Sequence, residues 1–326
     1  MTRTRWGILG TGKIAGAFAR GLGRAAGARL VAVGSRRQET ADRFGDEHGV
    51  ARRHASYEAL AADPEVEAVY VATPHTSHRD DTLLCLESGK AVLCEKPLAV
   101  NAAQAREMVA AARERRLFLM EAIWTCFLPA VLRLRELLAS GDLGEPRMVR
   151  ADFCFRAERR PGSRLFEPSL AGGALLDLGI YTLLVADEVF ARAPERIATL
   201  AHLGPTGVDE RSGVVLDYGA GRLAIVTSSN RLRTPNEALV AGTAGWARLH
   251  DPFWHPQRLT VAIGDRRWEE DHPYEGNGYP HEAAEVGRCL AAGRTESEIL
   301  PLDRSLRLME TMDRIRAEWG LRYPAE

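Results

Sequence analysis

A glycine-rich turn near the N-terminus constrains the fold of this chain more than any other feature. The apolar run Trp6–Leu9 leads directly into Gly10-Thr11-Gly12-Lys13-Ile14-Ala15, and the residues that follow have helical periodicity. In a Gly-x-Gly-x-x-Ala turn the first glycine takes a tight bend, the second leaves room for a pyrophosphate, and the small third residue lets helix and strand pack closely. Such a turn between a strand and a helix predicts dinucleotide binding, although alone it is also typical of an ordinary turn.

The first third of the chain repeats this alternation of strand and helix. Short apolar runs typical of buried parallel strands are separated by longer helical stretches. The predicted strands are Trp6–Leu9, Leu30–Gly34, Ala68–Ala72, Ala91–Cys94 and Leu117–Met120, and the predicted helices lie near Lys13–Leu22, Arg37–His48, Ser77–Ser88 and Ala102–Arg115. We therefore predict an α/β domain over residues 1–121, with a doubly wound parallel (Rossmann) sheet.

The rest of the chain, residues 122–326, has a different pattern of apolar and polar residues. Runs rich in Val, Ile, Thr and aromatic residues alternate with polar positions and are separated by short turns, which predicts an α+β domain with a large, mostly antiparallel open sheet. The predicted strands are Arg147–Phe155, Arg196–His202, Ser212–Tyr218, Arg222–Ser228, Glu237–Gly242, Ala247–His250 and Arg258–Ile263. Helices are predicted at Pro129–Ala139, His281–Ala292 and Asp303–Glu318, and the last two either complete this domain or pack back on the first.

The amino-acid composition limits the classes of partner that this chain is expected to bind. The chain has 43 basic and 44 acidic residues, so no net charge favours binding to nucleic acid. No apolar run approaches the ~20 residues of a membrane span, and the N-terminus leads straight into a predicted strand, so we expect a cytoplasmic protein without membrane contact. The five cysteines are scattered and lack the spacing of a metal site, so we expect reduced thiols and no metal.

The end of the second predicted strand bears on the choice of cofactor. An NAD-preferring protein usually carries an acidic residue here, to bind the ribose 2′-hydroxyl. This chain has Ser35-Arg36-Arg37, which offers a hydroxyl and positive charge to a 2′-phosphate. We predict NADP as the cofactor, with NAD possible; the alternative is that these arginines only begin a solvated helix.

Two further segments follow predicted strands at their carboxyl ends, where open α/β sheets bind ligands. One contains Thr73, Pro74, His75 and His78, and the other is Glu95-Lys96-Pro97. Because the proline restricts the backbone of Lys96 to extended dihedrals, the ammonium group can be directed into the cofactor crevice. Outside this context, a Lys-Pro pair is typical of a surface, and His78 is equally consistent with the start of the next helix.

A predicted helix from Gly172-Gly173 to about Phe190 supplies the second set of candidates. Asp177 and Tyr181 are four residues apart and therefore project from one helical face. Gly173 and Gly179 are interpreted as leaving room for a ligand, since glycine within a helix is otherwise unfavourable. The alternative is that Asp177 stabilises the helix dipole and Tyr181 is core packing.

Several other residues are ambiguous. Five aromatic side chains can wall an apolar substrate pocket or belong to the core. The arginine-rich segment Arg156–Arg164 is predicted to be a loop before the helix that carries Asp177. The five aromatic residues are Trp124, Phe153, Phe155, Phe253 and Trp254.

Taken in order, these motifs resemble the glucose-fructose oxidoreductase/inositol dehydrogenase (Gfo/Idh/MocA) family. The glycine turn, Thr-Pro-x-x-x-His, Glu95-Lys96-Pro97 and the segment Gly172–Tyr181 all match it. Glu121-Ala122-Ile123-Trp124 and Gly278-Tyr279-Pro280-His281-Glu282 resemble the branch of dimeric dihydrodiol dehydrogenases and NADP-dependent D-xylose dehydrogenases. The resemblance implies an NAD(P)-dependent dehydrogenase, and a homodimer or homotetramer built on the C-terminal sheet.

The family also implies roles for the candidate residues. Its members commonly have His at the position of Tyr181, whereas this chain has Tyr, as the dihydrodiol branch does. Because a tyrosine with a pKa of ~10 is a poor base at neutral pH unless a cation stabilises the phenolate, we expect Tyr181 to be the acid/base and Lys96 its electrostatic partner. Asp177 is expected to orient the substrate hydroxyl or Lys96. Which of Lys96 and Tyr181 transfers the proton is left open.

The expected reaction is hydride transfer between NAD(P) and a hydroxyl or carbonyl of a sugar, polyol or trans-dihydrodiol. Two alternatives share the same sequence features: a reductase of ketoses or inososes, since the chemistry is reversible, and a dinucleotide-sensing regulator without catalysis. The expected cofactor-binding residues are Gly10, Thr11, Gly12, Lys13, Ile14, Ser35, Arg36, Arg37, Thr73, Pro74, His75, His78, Glu95 and Lys96.

Overall fold

The computed structural model describes residues 3–160 and 162–326, which form two compact units. The first unit runs to Phe127 and also takes in Glu275–Ser305, and the second comprises Leu128–Tyr274 and Leu306–Glu326. The sequence predicts a single boundary, at residue 121, and leaves open whether the last two helices complete the second domain or pack back on the first. An amphipathic pattern identifies the buried face of a late helix but not the unit that covers it, so the return of residues 275–305 was not predictable from periodicity.

The first unit contains a six-stranded parallel sheet of order β3-β2-β1-β4-β5-β6. The order reverses between β1 and β4, as the doubly wound prediction requires. Its strands are β1 (Thr4–Leu9), β2 (Ala28–Gly34), β3 (Arg52–His54), β4 (Ala68–Val71), β5 (Ala91–Glu95) and β6 (Leu119–Ala122). Its first helices are α1 (Lys13–Leu22), α2 (Gln38–His48), α3 (Tyr57–Ala61), α4 (His78–Glu87) and α5 (Ala102–Arg115).

The second unit contains an eight-stranded sheet of order β14-β13-β12-β11-β7-β10-β9-β8. All neighbours are antiparallel except β7 and β10, which run parallel, so the prediction of a mostly antiparallel sheet is confirmed. The strands are β7 (Pro146–Cys154), β8 (Arg196–Leu203), β9 (Asp209–Asp217), β10 (Leu223–Ser229), β11 (Ala238–Gly242), β12 (Gly245–Leu249), β13 (Arg258–Ile263) and β14 (Arg266–Asp271). The helices introduced here are α6 (Pro129–Ser140) and α7 (Ile180–Phe190).

Two helices complete the chain: α8 (Tyr279–Ala291), which belongs to the first unit, and α9 (Leu302–Glu318), whose first four residues do so. The elements missed from the sequence are β3, α3 and β14. The sequence of β3 is Arg-Arg-His and that of β14 is Arg-Arg-Trp-Glu-Glu-Asp, so neither has the apolar periodicity by which strands are recognised.

The two faces of the eight-stranded sheet differ in burial. Val149, Val214 and Val226 are buried on one face, whereas Leu200 is 83% exposed and Val215 is also exposed. This alternation follows from the two-residue period of strands. The homodimer or homotetramer expected through this sheet stays a prediction.

The segment Pro168–Phe190 corrects one expectation from composition. By length and apolar composition its 23 residues are sufficient to cross a membrane, whereas no such run was expected. In the structure 89% of its most apolar window is buried inside the protein. A helix that is apolar on all sides has this composition when it lies in a core, so hydropathy alone does not distinguish the two cases.

The first unit buries an acidic side chain beside its aromatic core. Phe18 stacks on Tyr70 with ring centroids 3.7 Å apart, and Tyr279 meets Phe18 edge to face. Glu282, in the first turn of α8, is fully buried, and neither carboxyl oxygen has a hydrogen-bond partner among the described residues. Burial, reinforced by the charge of Glu95, raises the pKa of Glu282 well above its ordinary value. Burial therefore favours the neutral form of this carboxyl in the folded protein.

We predict that Glu282→Gln makes folding less sensitive to alkaline pH. Because the pKa is higher in the folded than in the unfolded chain, the stability associated with this carboxyl is complete at low pH and is lost as pH rises towards the folded-state pKa. Urea unfolding at about pH 5 and about pH 9 should therefore show a smaller fall in the free energy of unfolding for Glu282→Gln than for the wild type. The exposed Glu275→Gln is the matched control, and equal falls for all three proteins would contradict the prediction.

Candidate active site

The glycine turn lies at the carboxyl end of β1 and has the geometry of a phosphate cradle. Gly10 has φ +103°, and a Cβ there would lie 2.8 Å from the carbonyl oxygen of Ala72, so only glycine fits. Gly12 is the N-cap of α1 and makes no side-chain cap, and a Cβ placed on it would meet nothing within 4 Å. The first turn of α1 carries no acidic residue. An open turn at a helix N-terminus fits a pyrophosphate, and Thr11, Lys13 and Ile14 lie around it.

At the end of β2, Ser35 is buried and its hydroxyl lies 2.5 Å from that of Thr40, whereas Arg36 and Arg37 are exposed. Arg37 is the N-cap of α2. Burial raises the pKa of Asp81 to about 6, against the opposing charge of Arg36. The sequence interpretation overlooked Asp81, which lies on α4 far along the chain.

The segment after β4 is held to the segment after β5 by His78. This side chain begins α4, is fully buried, and has its Nδ1 2.8 Å from the carbonyl oxygen of Pro97 and its Nε2 3.0 Å from that of Thr73. His75 packs edge to face on it, and Pro74 is exposed. His78 thus supports the crevice by joining two loops at the carboxyl edge of the sheet.

Buried carboxyls fix the backbone around Lys96. One oxygen of Glu95 accepts a hydrogen bond from the hydroxyl of Tyr70, and the other accepts one from the backbone N–H of Lys96 at 3.1 Å. Glu121, at the end of β6, accepts the backbone N–H of Leu98 at 2.8 Å. Burial raises the pKa of Glu121 to about 7, although the Leu98 amide and the charge of Lys96 oppose the shift. The segment that bears Lys96 is therefore held from β5 and β6.

The helix with Asp177 and Tyr181 begins differently from the prediction. Helical structure starts at Leu175, not Gly172, as a π-helical turn over Leu175–Gly179, and α7 follows from Ile180. The four-residue spacing of Asp177 and Tyr181 thus spans a junction between π and α geometry. Such π turns recur at functional sites, and the sequence carries no recognised signal for them.

The interpretation of the two glycines was wrong. A Cβ on Gly179 would lie 2.8 Å from Cδ1 of Leu175 and 3.4 Å from the hydroxyl of Ser228. A Cβ on Gly173 would lie 2.1 Å from a carboxyl oxygen of Asp209. Protein atoms, and not a ligand, occupy the space that these glycines leave.

Asp177 is 6% exposed and pairs with Arg164, whose Nη2 lies 3.0 Å from its Oδ1. Arg164 belongs to the segment predicted to be a loop, which could also close over the site, and the sequence holds no signal for this ion pair. Within the segment Arg156–Arg164, Pro161 lies outside the described residues. The ion pair fixes one carboxylate oxygen of Asp177 from outside its own helix.

Tyr181, which is 5% exposed, packs against one member of an aromatic cluster. Its ring meets Phe153 edge to face at 5.6 Å, and Phe153 stacks on Trp254 at 3.7 Å. Phe253 packs against both Phe153 and Trp254. Within the first unit, Trp124 stacks on Tyr279 with ring centroids 5.2 Å apart.

The predicted residues therefore fall into two groups. The cofactor residues and Lys96 follow parallel strands of the first unit at one edge, and Asp177 and Tyr181 lie together on the second unit. Among residues 3–160 and 162–326, no three His, Cys, Asp or Glu side chains are grouped to hold a metal ion.

Comparison with known proteins identifies the family. The model of the oxidoreductase family with an NAD-binding Rossmann fold matches residues 4–123, and that of the GFO/IDH/MocA C-terminal domain matches residues 131–248. The chain is 41% identical to trans-1,2-dihydrobenzene-1,2-diol dehydrogenase of Bos taurus, over 99% of this chain and 98% of the relative, and 40% identical to that of Homo sapiens with the same coverage.

Solved structures agree with this result. An aldose-aldose oxidoreductase from Caulobacter crescentus complexed with glycerol superposes with a TM-score of 0.88 at 25% identity, over 98% of both chains. A 3-ketoreductase from Actinomadura kijaniata in complex with NADP superposes with a TM-score of 0.85 at 26% identity, over 97% of this chain and 98% of the other. The chain belongs to the Gfo/Idh/MocA family of NAD(P)-dependent oxidoreductases.

Proposed function

We propose that this dehydrogenase uses NADP to oxidise a vicinal diol on an unsaturated ring. The observation that carries the proposal is the edge-to-face contact of Tyr181 with Phe153, which itself stacks on Trp254. A phenol beside stacked aromatic rings suits a substrate that has both a hydroxyl and an apolar ring face. The names of the relatives at about 40% identity support the same substrate class.

Oxidation requires two groups to leave the carbinol: a hydride from carbon and a proton from oxygen. When bound, the nicotinamide cofactor accepts the hydride. Tyr181 is proposed to receive the hydroxyl proton on its phenolic oxygen, with the ammonium of Lys96 stabilising the resulting charge. The C–H and O–H bonds break, a C=O bond forms, and in the direction of reduction the same groups act in reverse.

Asp177 is proposed to orient the substrate hydroxyl. Arg164 holds one of its oxygens at 3.0 Å and thereby limits rotation of the carboxylate. The oxygens of a carboxylate accept hydrogen bonds, so Asp177 can bind a substrate hydroxyl in a defined direction. Removing Asp177 is therefore expected to impair orientation more than proton transfer.

The substrate proposal is tested by turnover. The purified chain is assayed with trans-dihydrodiols, aldoses, polyols and inositols, following the absorbance of the reduced nicotinamide with NADP and with NAD. We expect the highest kcat/KM for a ring diol with NADP. A higher kcat/KM for an aldose or inositol would reject the diol, and absence of turnover with every substrate would favour a dinucleotide-sensing regulator.

The role of Arg36 is tested by cofactor affinity. Arg36→Asp removes a charge-assisted contact to the 2′-phosphate, worth about 1.5–3 kcal/mol, and adds repulsion, so NADP should bind at least tenfold more weakly while NAD is retained. Fluorescence titration of both cofactors measures this. Arg29→Asp is the matched control, because Arg29 is also exposed but lies at the opposite end of β2. If the wild type binds NAD as tightly as NADP, the cofactor preference is wrong.

The proton relay is tested by a double-mutant cycle. Tyr181→Phe should lower kcat by about 10²–10⁴-fold and leave NADP affinity unchanged, because the hydroxyl acts in chemistry and not in cofactor binding. Lys96→Met should also lower kcat. The two losses should not add, since each group depends on the other. Full additivity would show that the groups act independently, and wild-type kcat for Tyr181→Phe would assign the tyrosine to packing.

A further inference from the structure

Two adjacent carboxyl side chains begin β9, and both are buried. Asp209 is fully buried and Glu210 is 2% exposed. Oδ2 of Asp209 accepts two backbone N–H groups, from Ala174 at 3.0 Å and from Leu175 at 2.7 Å. The first N–H groups of a helix have no partner within it, and burying them is unfavourable unless an acceptor is supplied. Asp209 supplies that acceptor at the start of the helix that carries Asp177 and Tyr181.

The close approach of the Asp209 carboxyl to the start of the helix requires a glycine at position 173. A Cβ at Gly173 would lie 2.1 Å from Oδ1 of Asp209, and its φ of +126° is one that L side chains rarely adopt. The residue also donates its N–H to the carbonyl oxygen of Leu165 at 2.9 Å. The glycine therefore lets the carboxyl approach the helix end closely enough to accept both amides.

Glu210 makes the matching contact to the segment before the helix. Its carboxylate accepts hydrogen bonds from Nε and Nη2 of Arg159, at 2.7 and 2.5 Å. Arg159 lies five positions before Arg164, which pairs with Asp177. The backbone carbonyl of Glu210 accepts the N–H of Asn230 at 3.0 Å, which joins β9 to the end of β10. The start of β9 thus contacts the helix that carries Asp177 and also the preceding segment, whose Arg164 pairs with Asp177.

We infer that Asp209 is a positioning residue of the enzyme: its two backbone contacts set the N-terminus of the helix, and so the reach of Asp177 and Tyr181 towards the reacting hydroxyl. This inference rests on the proposed function of those two residues. Asp209 itself touches neither substrate nor cofactor in this role. The contribution lies in geometry, because displacement of a catalytic group by about 1 Å can lower a rate about 100-fold.

The contact does not require the charge of Asp209. Burial raises the pKa of this carboxyl to about 7, although the two amides and the charge of Arg316 oppose the shift. Oδ2 accepts hydrogen bonds in the neutral as well as in the ionised form. An asparagine, with one amide oxygen at the same place, is therefore expected to preserve the helix position.

The inference is tested by comparing Asp209→Ala with Asp209→Asn. Asp209→Ala leaves two buried N–H groups without this acceptor. We therefore expect kcat, measured with the substrate that the wild type turns over best, to fall by about 100-fold, while the Kd for NADP changes less than twofold. Asp209→Asn should restore kcat to within about threefold of wild type. Hydrogen exchange of the peptide containing Ala174 and Leu175 should be faster in Asp209→Ala than in the wild type, and unchanged in Asp209→Asn.

Asp217→Ala is the matched control. Asp217 lies on the same strand, also accepts a backbone N–H, from Gly219 at 2.8 Å, and pairs with Arg196, but it is remote in sequence from the helix contact. Its removal should leave kcat unchanged. Equal losses of kcat in Asp209→Ala and Asp217→Ala would show a general structural effect and overturn the inference.

Gly173→Ala provides a second route if Asp209→Ala fails to fold. Its Cβ must displace the Asp209 carboxyl, so it should lower kcat and accelerate the same exchange. When Gly173→Ala is combined with Asp209→Ala, the further loss of kcat should be smaller than the loss that Gly173→Ala causes in the wild-type protein. Faster exchange with wild-type kcat, in either variant, overturns the positioning role. Failure of the proposed function is recognised separately, by a wild-type protein that binds NADP and has protected amides but no turnover.

Discussion

Burial of carboxyl groups against backbone amides is the interaction on which both parts of the candidate active site depend. Glu121 holds the segment after Lys96 through the amide of Leu98, and Asp209 holds the helix before Asp177 through two amides. A carboxyl taken out of water loses hydration, so each amide contact has to offset that cost. The same contact fixes the backbone on which a reactive side chain is mounted. The same hydrogen bonds therefore satisfy buried polar groups in the core and make the backbone at the candidate site rigid.

Parts of this arrangement were predictable from sequence, and the reason is local. The turn from Gly10 to Ala15 and the alternation after it predicted the parallel sheet, because periods of 2 and 3.6 residues are properties of contiguous segments. Most predicted strands agree with the structure within about two residues at each end. The resemblance of Glu95-Lys96-Pro97 and Gly172–Tyr181 to a family identified the candidate reactive residues, whose roles stay predictions.

What sequence did not predict depends on contacts between distant segments. The spacing of Asp177 and Tyr181 was assigned to a regular α-helix, but the π turn arises where β9, β10 and the helix meet. Gly173 was correctly selected as unusual and wrongly explained, because its neighbour Asp209 lies 36 positions along the chain. Arg164 and Asp81 carry no motif, and only the folded chain shows what they adjoin. Charged strands such as β14 were missed because their partners, and not their own apolar pattern, define them.

The path of the chain has a consequence for biosynthesis. Residues 275–305 complete the first unit, and the ring of Tyr279 stacks on Trp124, yet this helix is translated after every strand of the second unit. In the nascent chain, Phe18 and Trp124 therefore lack the ring of Tyr279 while about 150 further residues are synthesised, which takes roughly eight to thirty seconds at ordinary rates. A fragment cut after Phe127 would lack that ring permanently.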